Sequence, residues 1–342
     1  MDDIARRAGV SLSTVSYVLS GKRPISEATK QRVRSAIAEL DFHPHEIGRA
    51  LARKRSNTIA LLYPTGSYGL AETTLEIILA AVDEASSRGY STLISTSPPE
   101  EVEVLRLIRN GLIDGLVLME VRLRDARVGL LRARKFPFTM MGHCDHNDGL
   151  SFVDVDFEQA AATAVHHLYD LGHRRIACLT RRQLMADVDY GPSIRTAWGF
   201  EAAIADRGIE GDILSCDPSP EGGYDVVDAL LRADPEVTAI VTVNSEALGA
   251  ISRAVQDHGL RIPEDVSLVA ITSSRTAEFL TPPLTSLDFP AAEMGRVGTR
   301  MLIDQLEKGG DFEPTQHLLQ APLSIRRSSG PARTRHCVPE GR

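Results

Sequence analysis

No apolar run in this 342-residue chain is long enough to cross a membrane: stretches such as TIALLY and AIVTV are of strand length, far below the roughly 20 residues a membrane helix needs. No basic, apolar, small-residue leader opens it, and the expected location is the cytoplasm. Its four cysteines, Cys144, Cys178, Cys216 and Cys337, lack paired spacing, which implies reduced thiols rather than a disulfide framework. PTGSYG puts two glycines at a strand-to-helix turn, but neither a phosphate-loop lysine nor a dinucleotide fingerprint follows, so no nucleotide cofactor is expected. There is no G-x-S-x-G elbow, and no carboxylate pair can be placed across a cleft, which leaves no catalytic set and no expectation of an enzyme. HCDH, residues 143 to 146, lacks a second ligand pair at metal-site spacing and reads as a loop rather than a metal centre.

What is present is an ordinary globular composition, 43% hydrophobic and 25% charged, in a chain long enough for two or three cores. The charge is divided unevenly. Residues 1 to 57 hold 11 Lys or Arg against 6 Asp or Glu, a balance of +5; the whole chain carries −8, so the remainder carries −13. A basic head on an acidic body points to a polyanion partner for the head alone.

Within SLSTVSYVLSG, residues 11 to 21, Val15, Val18 and Leu19 recur at the spacing that puts three side chains on one helical face. Ser13, Ser16, Tyr17 and Ser20 fall on the other, where hydroxyls are poor helix formers unless something polar lies against them. DDIARRAGVS reads as a preceding short helix with Ile4, Ala5 and Ala8 inward, broken at Gly9, and Ser11 then caps a helix from about Leu12 to Ser20. PISEATKQRVRSAIAELDF supplies a third helix, capped by Ser26, with Val33, Ile37 and Leu40 as its buried stripe. Three such helices make a helix-turn-helix head over residues 1–43. Its second helix is the one presented to a DNA major groove, where Ser, Thr and Tyr find base edges and phosphate oxygens. HPHEIGRALARKRSNT, within residues 44–57, is a basic linker holding barely two helical turns, too short to be stable alone.

From residue 58 onward, strand-like runs at TIALLYP, YSTLIST, IDGLVLM, FTMMG, RRIACLT, VTAIVTV and SLVAITS are separated by helix-length segments such as 72–88, 157–171, 222–233 and 291–308. This predicts an α/β body of parallel sheets, and its length predicts two similar doubly wound lobes with a cleft between them. The tail from 328 to 342, rich in Gly, Pro, Ser and Arg, is expected to be disordered.

The opening run from DDIARRAG to IALLYP is followed in order by LGHRRIACL, EGGYDVVDALL, VTVNSEALGAI, GLRIPEDVSLVAI and LTPPLTSLDFPAAEMG. Together they resemble the lactose/galactose-repressor family of bacterial transcriptional regulators over nearly the whole chain. The resemblance implies a periplasmic-binding-protein-like body over 58–327. Crossings near residues 156, 288 and 317 divide it into lobe one (about 58–156 and 289–316) and lobe two (about 157–288 and 317–327). It also implies a homodimer on palindromic double-stranded operator DNA, foremost as a repressor, and a small-molecule effector in the inter-lobe cleft. Leu12, Ser13 and Tyr17 would read the half-site, with Ser11, Thr14 and Ser16 mainly on phosphates. Tyr17 stands where the family often carries Arg. In the linker, Leu51 matches a leucine that a hinge helix pushes into the minor groove, with His45 and Gly48 on the same segment. The family's Thr-Ile pair has no counterpart ahead of Asp2, which predicts a natural start a few codons upstream. A solute-binding protein without a DNA role and an enzyme on a doubly wound fold are the competing classes. The basic head argues against the first, and fold alone never excludes the second.

The effector positions depart most from the family. Its Asn is kept as Asn244, its Asp position is Thr272, and its Arg position is Thr196 with Arg195 displaced by one. Two commonly polar positions are Phe157 and Phe289. Hydroxyls and rings in place of a carboxylate and a guanidinium weaken the recognition of vicinal sugar hydroxyls. The expected effector is therefore less hydroxyl-rich than a simple hexose, held by Asn244 and Arg195 and packed on Phe157 and Phe289. A ring-stacked carbohydrate and a cleft that binds nothing are the alternatives.

Overall fold

The computed structural model describes residues 2–20, 23–40, 56–64, 72–96, 101–109, 111–181 and 189–333; His45, Gly48, Leu51 and Cys337 lie outside them. Contacts separate the chain into two units, Met1–Ser56 and Asn57–Arg342.

In the first unit, helices α1 (Asp2–Ala8), α2 (Leu12–Ser20) and α3 (Glu27–Glu39) close around Ile4, Ala5, Ala8, Val15, Val33 and Ala36. Gly9, at φ +64, ends α1 in the left-handed region that only glycine adopts freely. Ser26 caps α3 by accepting from the Thr29 backbone N–H. The stripe of α3 is corrected in one place. Leu40 is 44% exposed at the helix C-cap, and Ala36, one turn earlier, takes the buried position beside Val33.

The second unit holds two six-stranded sheets. Lobe one is built from β1 (Thr58–Leu62), α4 (Glu72–Ser87), β2 (Ser91–Ser95), α5 (Glu101–Arg109), β3 (Gly115–Leu118), α6 (Ala126–Arg134), β4 (Phe138–Met141) and β5 (Phe152–Val155). The chain then enters lobe two with α7 (Phe157–Asp170), β6 (Arg175–Arg181), α8 (Gly191–Arg207), β7 (Glu210–Cys216), α9 (Pro220–Ala233), β8 (Ala239–Thr242), α10 (Leu248–Asp257), β9 (Ser267–Thr272), α11 (Ser274–Phe279) and β10 (Thr285–Asp288). It returns to lobe one through α12 (Ala291–Lys308) and β11 (Gln316–Leu319), and ends in lobe two with β12 (Leu323–Ser324). The strand orders are β11-β5-β4-β3-β1-β2 and β12-β10-β9-β8-β6-β7. Every pairing is parallel except β10 with β12.

Central strands such as β1, β3, β6 and β8 are buried along nearly their whole length, as parallel strands covered on both faces must be. In lobe one α12 lies against α4. A Cβ at Gly295 would come within 2.3 Å of the Ile77 carbonyl oxygen, so this approach requires glycine.

Two boundary expectations are corrected. β11 pairs with β5, so the third crossing follows Leu319 instead of falling at 317. The tail is not disordered from residue 328. Ser328 is fully buried, its hydroxyl donates to the Leu268 carbonyl and accepts from the Thr285 N–H, and Gly330 bonds Ser267 and His173. A buried network of hydroxyls and backbone amides orders a segment whose composition offers no apolar face.

Candidate functional site

The head presents its hydroxyl face as the pattern requires. Val15 is fully buried while Leu12, Ser13 and Ser16 are exposed and Thr14 and Tyr17 are half-buried. Ser11 Oγ accepts from the Thr14 backbone N–H and lies 2.8 Å from both Ser13 Oγ and Thr14 Oγ1, so three hydroxyls cluster at the N-terminus of α2. That end carries the unsatisfied N–H groups and positive dipole that attract phosphate. The Arg23 guanidinium sits 5.2 Å from the Tyr17 ring centroid and adds a cation beside the same face.

In the body, the groups at the carboxyl ends of the parallel strands meet across the two lobes, where ligands of open α/β sheets bind. A cavity with about 480 Å³ of empty space, part of it open to solvent, lies there. Phe157, at the start of α7, and Phe289, at the crossing before α12, line it with ring centroids 6.1 Å apart. These two predicted residues are brought together. Arg195, Asn244 and Thr272 are not among the residues that line this cavity. Arg195 donates to the carbonyl oxygens of His143 and Cys144 at 3.0 and 3.2 Å, with Nη1 3.9 Å from Asp154, and so ties lobe two to lobe one. Burial holds its guanidinium below the ordinary range, opposed by Asp154. One residue along a helix turns a side chain by about 100°, enough to aim Arg195 at the opposite lobe's backbone. Asn244 donates to Cys216 Sγ and to the Asp217 carbonyl, and Thr272 accepts from Ser245. Thr272 is spent within lobe two, whereas Asn244 Oδ1 is buried without a hydrogen-bond partner.

Sequence reasoning missed the charged groups that join the lobes. Glu120 follows β3 with φ +50, a left-handed conformation uncommon for a non-glycine residue. Arg127, 2% exposed, holds that turn by donating to the carbonyls of Met119 and Glu120, and Asp125 grips the guanidinium through both carboxylate oxygens. Burial works against the Asp125 carboxylate, but Arg127 and two backbone N–H groups hold its pKa below the usual range. The Glu120 side chain reaches Arg181, at the end of β6, at 3.5 Å, and Arg181 also faces Glu246 at 3.8 Å. Tyr190 donates to Glu120 at 3.4 Å. Burial pushes the Glu120 carboxyl up, opposed by Arg181. At the rim, Arg275 and Thr276 of lobe two bind Glu72 of lobe one. Glu120 does carry one sequence signal, an acidic residue directly after the apolar strand IDGLVLM.

Within HCDH the side chains diverge. His143 bonds Asp154, Cys144 is buried with its thiol pushed up to about 11 by desolvation, and His146 pairs with Asp145 on the surface. Among the described residues no group of three His, Cys, Asp or Glu could hold a metal, and no helix is long and apolar enough to cross a membrane.

Comparison with known proteins matches residues 1–45 to the family described as bacterial regulatory proteins, lacI family, and residues 165–329 to the periplasmic binding protein-like domain. The chain is 31% identical over 338 residues to the HTH-type transcriptional repressor CytR of Escherichia coli K12, covering 96% of each protein. It is 30% identical to the HTH-type transcriptional regulator CelR of Thermobifida fusca, covering 96% of this chain and 97% of that one. Among solved structures it is similar to a CelR–cellobiose complex, with 28% identity, a TM-score of 0.73, and 96% of this chain and 99% of that chain covered. The lac repressor dimer bound to operator and an anti-inducer shares the fold at 23% identity, with a TM-score of 0.84 over 96% of this chain and 98% of that one.

Proposed function

Because the chain belongs to the lacI family of bacterial regulatory proteins, we propose that it is a sequence-specific DNA-binding transcriptional repressor, dimeric on a palindromic operator and switched by a small molecule in its inter-lobe cleft. The observation that carries this reading is the exposed cluster of Ser11, Ser13 and Thr14 hydroxyls on a helix otherwise anchored by buried Val15. A surface hydroxyl cluster at a helix N-terminus in a basic head matches what a phosphate backbone requires. Leu12, Ser13 and Tyr17 read bases, and Ser11, Thr14 and Ser16 hold phosphates. Tyr17 packs on a thymine methyl where arginine would grip guanine. The linker residues His45, Gly48 and Leu51 form the hinge, with Leu51 as the minor-groove wedge. A DNA target places the protein in the cytoplasm. The relatives are regulators rather than enzymes, in keeping with a chain whose charged groups in the cleft serve as struts between lobes.

The effector occupies the cavity between Phe157 and Phe289. Arg195 supports the cavity from behind, through the His143 and Cys144 carbonyls that follow the lining residue Gly142, and Asn244 holds the Asp217 carbonyl. Footprinting on the DNA upstream of the protein's own gene tests the reading. Protection of two symmetric half-sites is expected. Equal binding to unrelated DNA, or none to either, overturns it.

A further inference from the structure

Resting on the reading of the cleft as the effector site, we infer that the effector is a small organic ammonium compound with an apolar, ring-bearing body, and not a sugar or an anion. The polar groups that line the cavity are the carboxylates of Glu120 and Asp154 and the hydroxyls of Tyr63, Thr74 and Tyr190. Thr74 and Tyr63 hydrogen-bond one another, and the Tyr190 hydroxyl points its hydrogen at Glu120 across 3.4 Å. Among the described residues the lining is thus rich in acceptors, with one hydroxyl hydrogen of the Tyr63–Thr74 pair as its free donor. A sugar hydroxyl both donates and accepts, and a carboxylate or phosphate only accepts, but an ammonium donates three hydrogen bonds and accepts none. Among the described residues no Lys, Arg, His, Asn or Gln lines the cavity. The walls are Phe157, Phe289 and Tyr63 with three methionines, apolar surface that also attracts a cation to its ring faces.

The two carboxylates are not equally available. Asp154 is engaged at both oxygens: one accepts from the Val155 N–H and the other meets His143 at 2.7 Å. Glu120 is not. Its contacts to Tyr190 and Arg181 are 3.4 and 3.5 Å, long for hydrogen bonds. Arg181 is shared with Glu246, so among the described residues two carboxylates face one guanidinium. Burial drives the Glu120 carboxyl toward protonation, and a ligand ammonium supplies the counter-charge that keeps it ionised. Glu120 is the anchor for the ammonium group. Arg127 and Asp125, which fix its left-handed backbone, are positioning residues.

The test pairs each amine with its neutral isostere on the full-length protein. Phenethylamine, tyramine and benzylamine at millimolar concentration are compared by thermal shift and calorimetry with 2-phenylethanol, tyrosol and benzyl alcohol, with glucose as a further arm. The amines raise Tm and the alcohols and glucose do not, and Glu120→Gln weakens the best amine by about tenfold or more. If no amine stabilises the unmodified protein, if the alcohols match the amines, or if glucose binds with an affinity that Glu120→Gln leaves intact, the inference is wrong. Footprinting the same preparation separates the two readings: operator protection without an amine response sinks this inference alone, and absence of operator protection sinks the regulator itself.

Discussion

Replacing Arg195 by alanine decides whether this side chain is a strut or a ligand-holding group. The guanidinium is 5% exposed and donates to two carbonyls of the opposite lobe, and its nearest carboxylate, Asp154, is 1% exposed. Removing one partner of a buried charge pair costs about 3–5 kcal/mol. Here the ion-pair distance is long, 3.9 Å, and His143 stays on Asp154 at 2.7 Å, which puts the loss near the lower end, about 3 kcal/mol. For a body of this size that is a fall of about 5 °C in Tm. Urea unfolding of the full chain, followed by far-ultraviolet circular dichroism and by the fluorescence of Trp198, measures it. Trp198, the protein's single tryptophan, lies one helical turn from Arg195. Coincident transitions license the two-state reading, and Arg195→Lys, which keeps the charge without the planar fork, falls between the two. A loss under about 1 kcal/mol would refute the strut.

Three other outcomes follow from the same geometry. His173, 1% exposed, is pushed down from 6.5 to about 4 by burial, so it is neutral when folded and takes up a proton on unfolding. Its contribution is full above pH 6.5 and lost as pH falls toward 4; the difference in stability between wild type and His173→Gln should shrink by about 3 kcal/mol across that window, and a difference independent of pH argues against a neutral buried ring. A Cβ at Gly199 would stand 2.2 Å from the Glu158 carbonyl oxygen, so Gly199→Ala prises α8 from α7 and costs about 2–3 kcal/mol in urea unfolding; an unchanged midpoint contradicts the packing. In operator selection, Tyr17→Arg changes the preferred base, whereas Thr14→Ala weakens all sequences alike; recovery of the same operator by Tyr17→Arg removes Tyr17 from base reading.

The parts of the fold that could be read from residues were those whose pattern is set locally. Buried parallel strands advertise themselves as apolar runs, and the α2 pattern named both its buried and its exposed face. What escaped was decided by partners distant in sequence. β7 and β11 are edge strands with alternating or exposed residues, and EGDILSC and QHLL become strands only because β6 and β5 offer them hydrogen bonds. Ser328 looks like tail until the N–H of Thr285 and the carbonyl of Leu268 close around it. In the cleft, the resemblance to the family pointed to the positions of Phe157 and Phe289, and both line the cavity. Residue types did not show that Arg195 bonds the backbone of the opposite lobe, and they passed over Glu120, whose position rests on a backbone turn that Arg127 holds.

The threefold crossing between lobes fixes an order of assembly during translation. The core of lobe one contains Ala291, Met294, Met301, Leu302, Ile303 and Leu306 of α12 packed on β1 and α4, so it cannot close until residue 308 has left the ribosome. By then every strand of lobe two except the two-residue β12 has been made. The half that begins first therefore cannot close until nearly all of the other has been made. Its early strands and the apolar side of α4 stand uncovered while about 130 residues of the other half are synthesised, about 6 to 26 s at rates of about 5–20 residues/s. A nascent-chain pause or a chaperone acting on this protein would have its greatest effect in that interval.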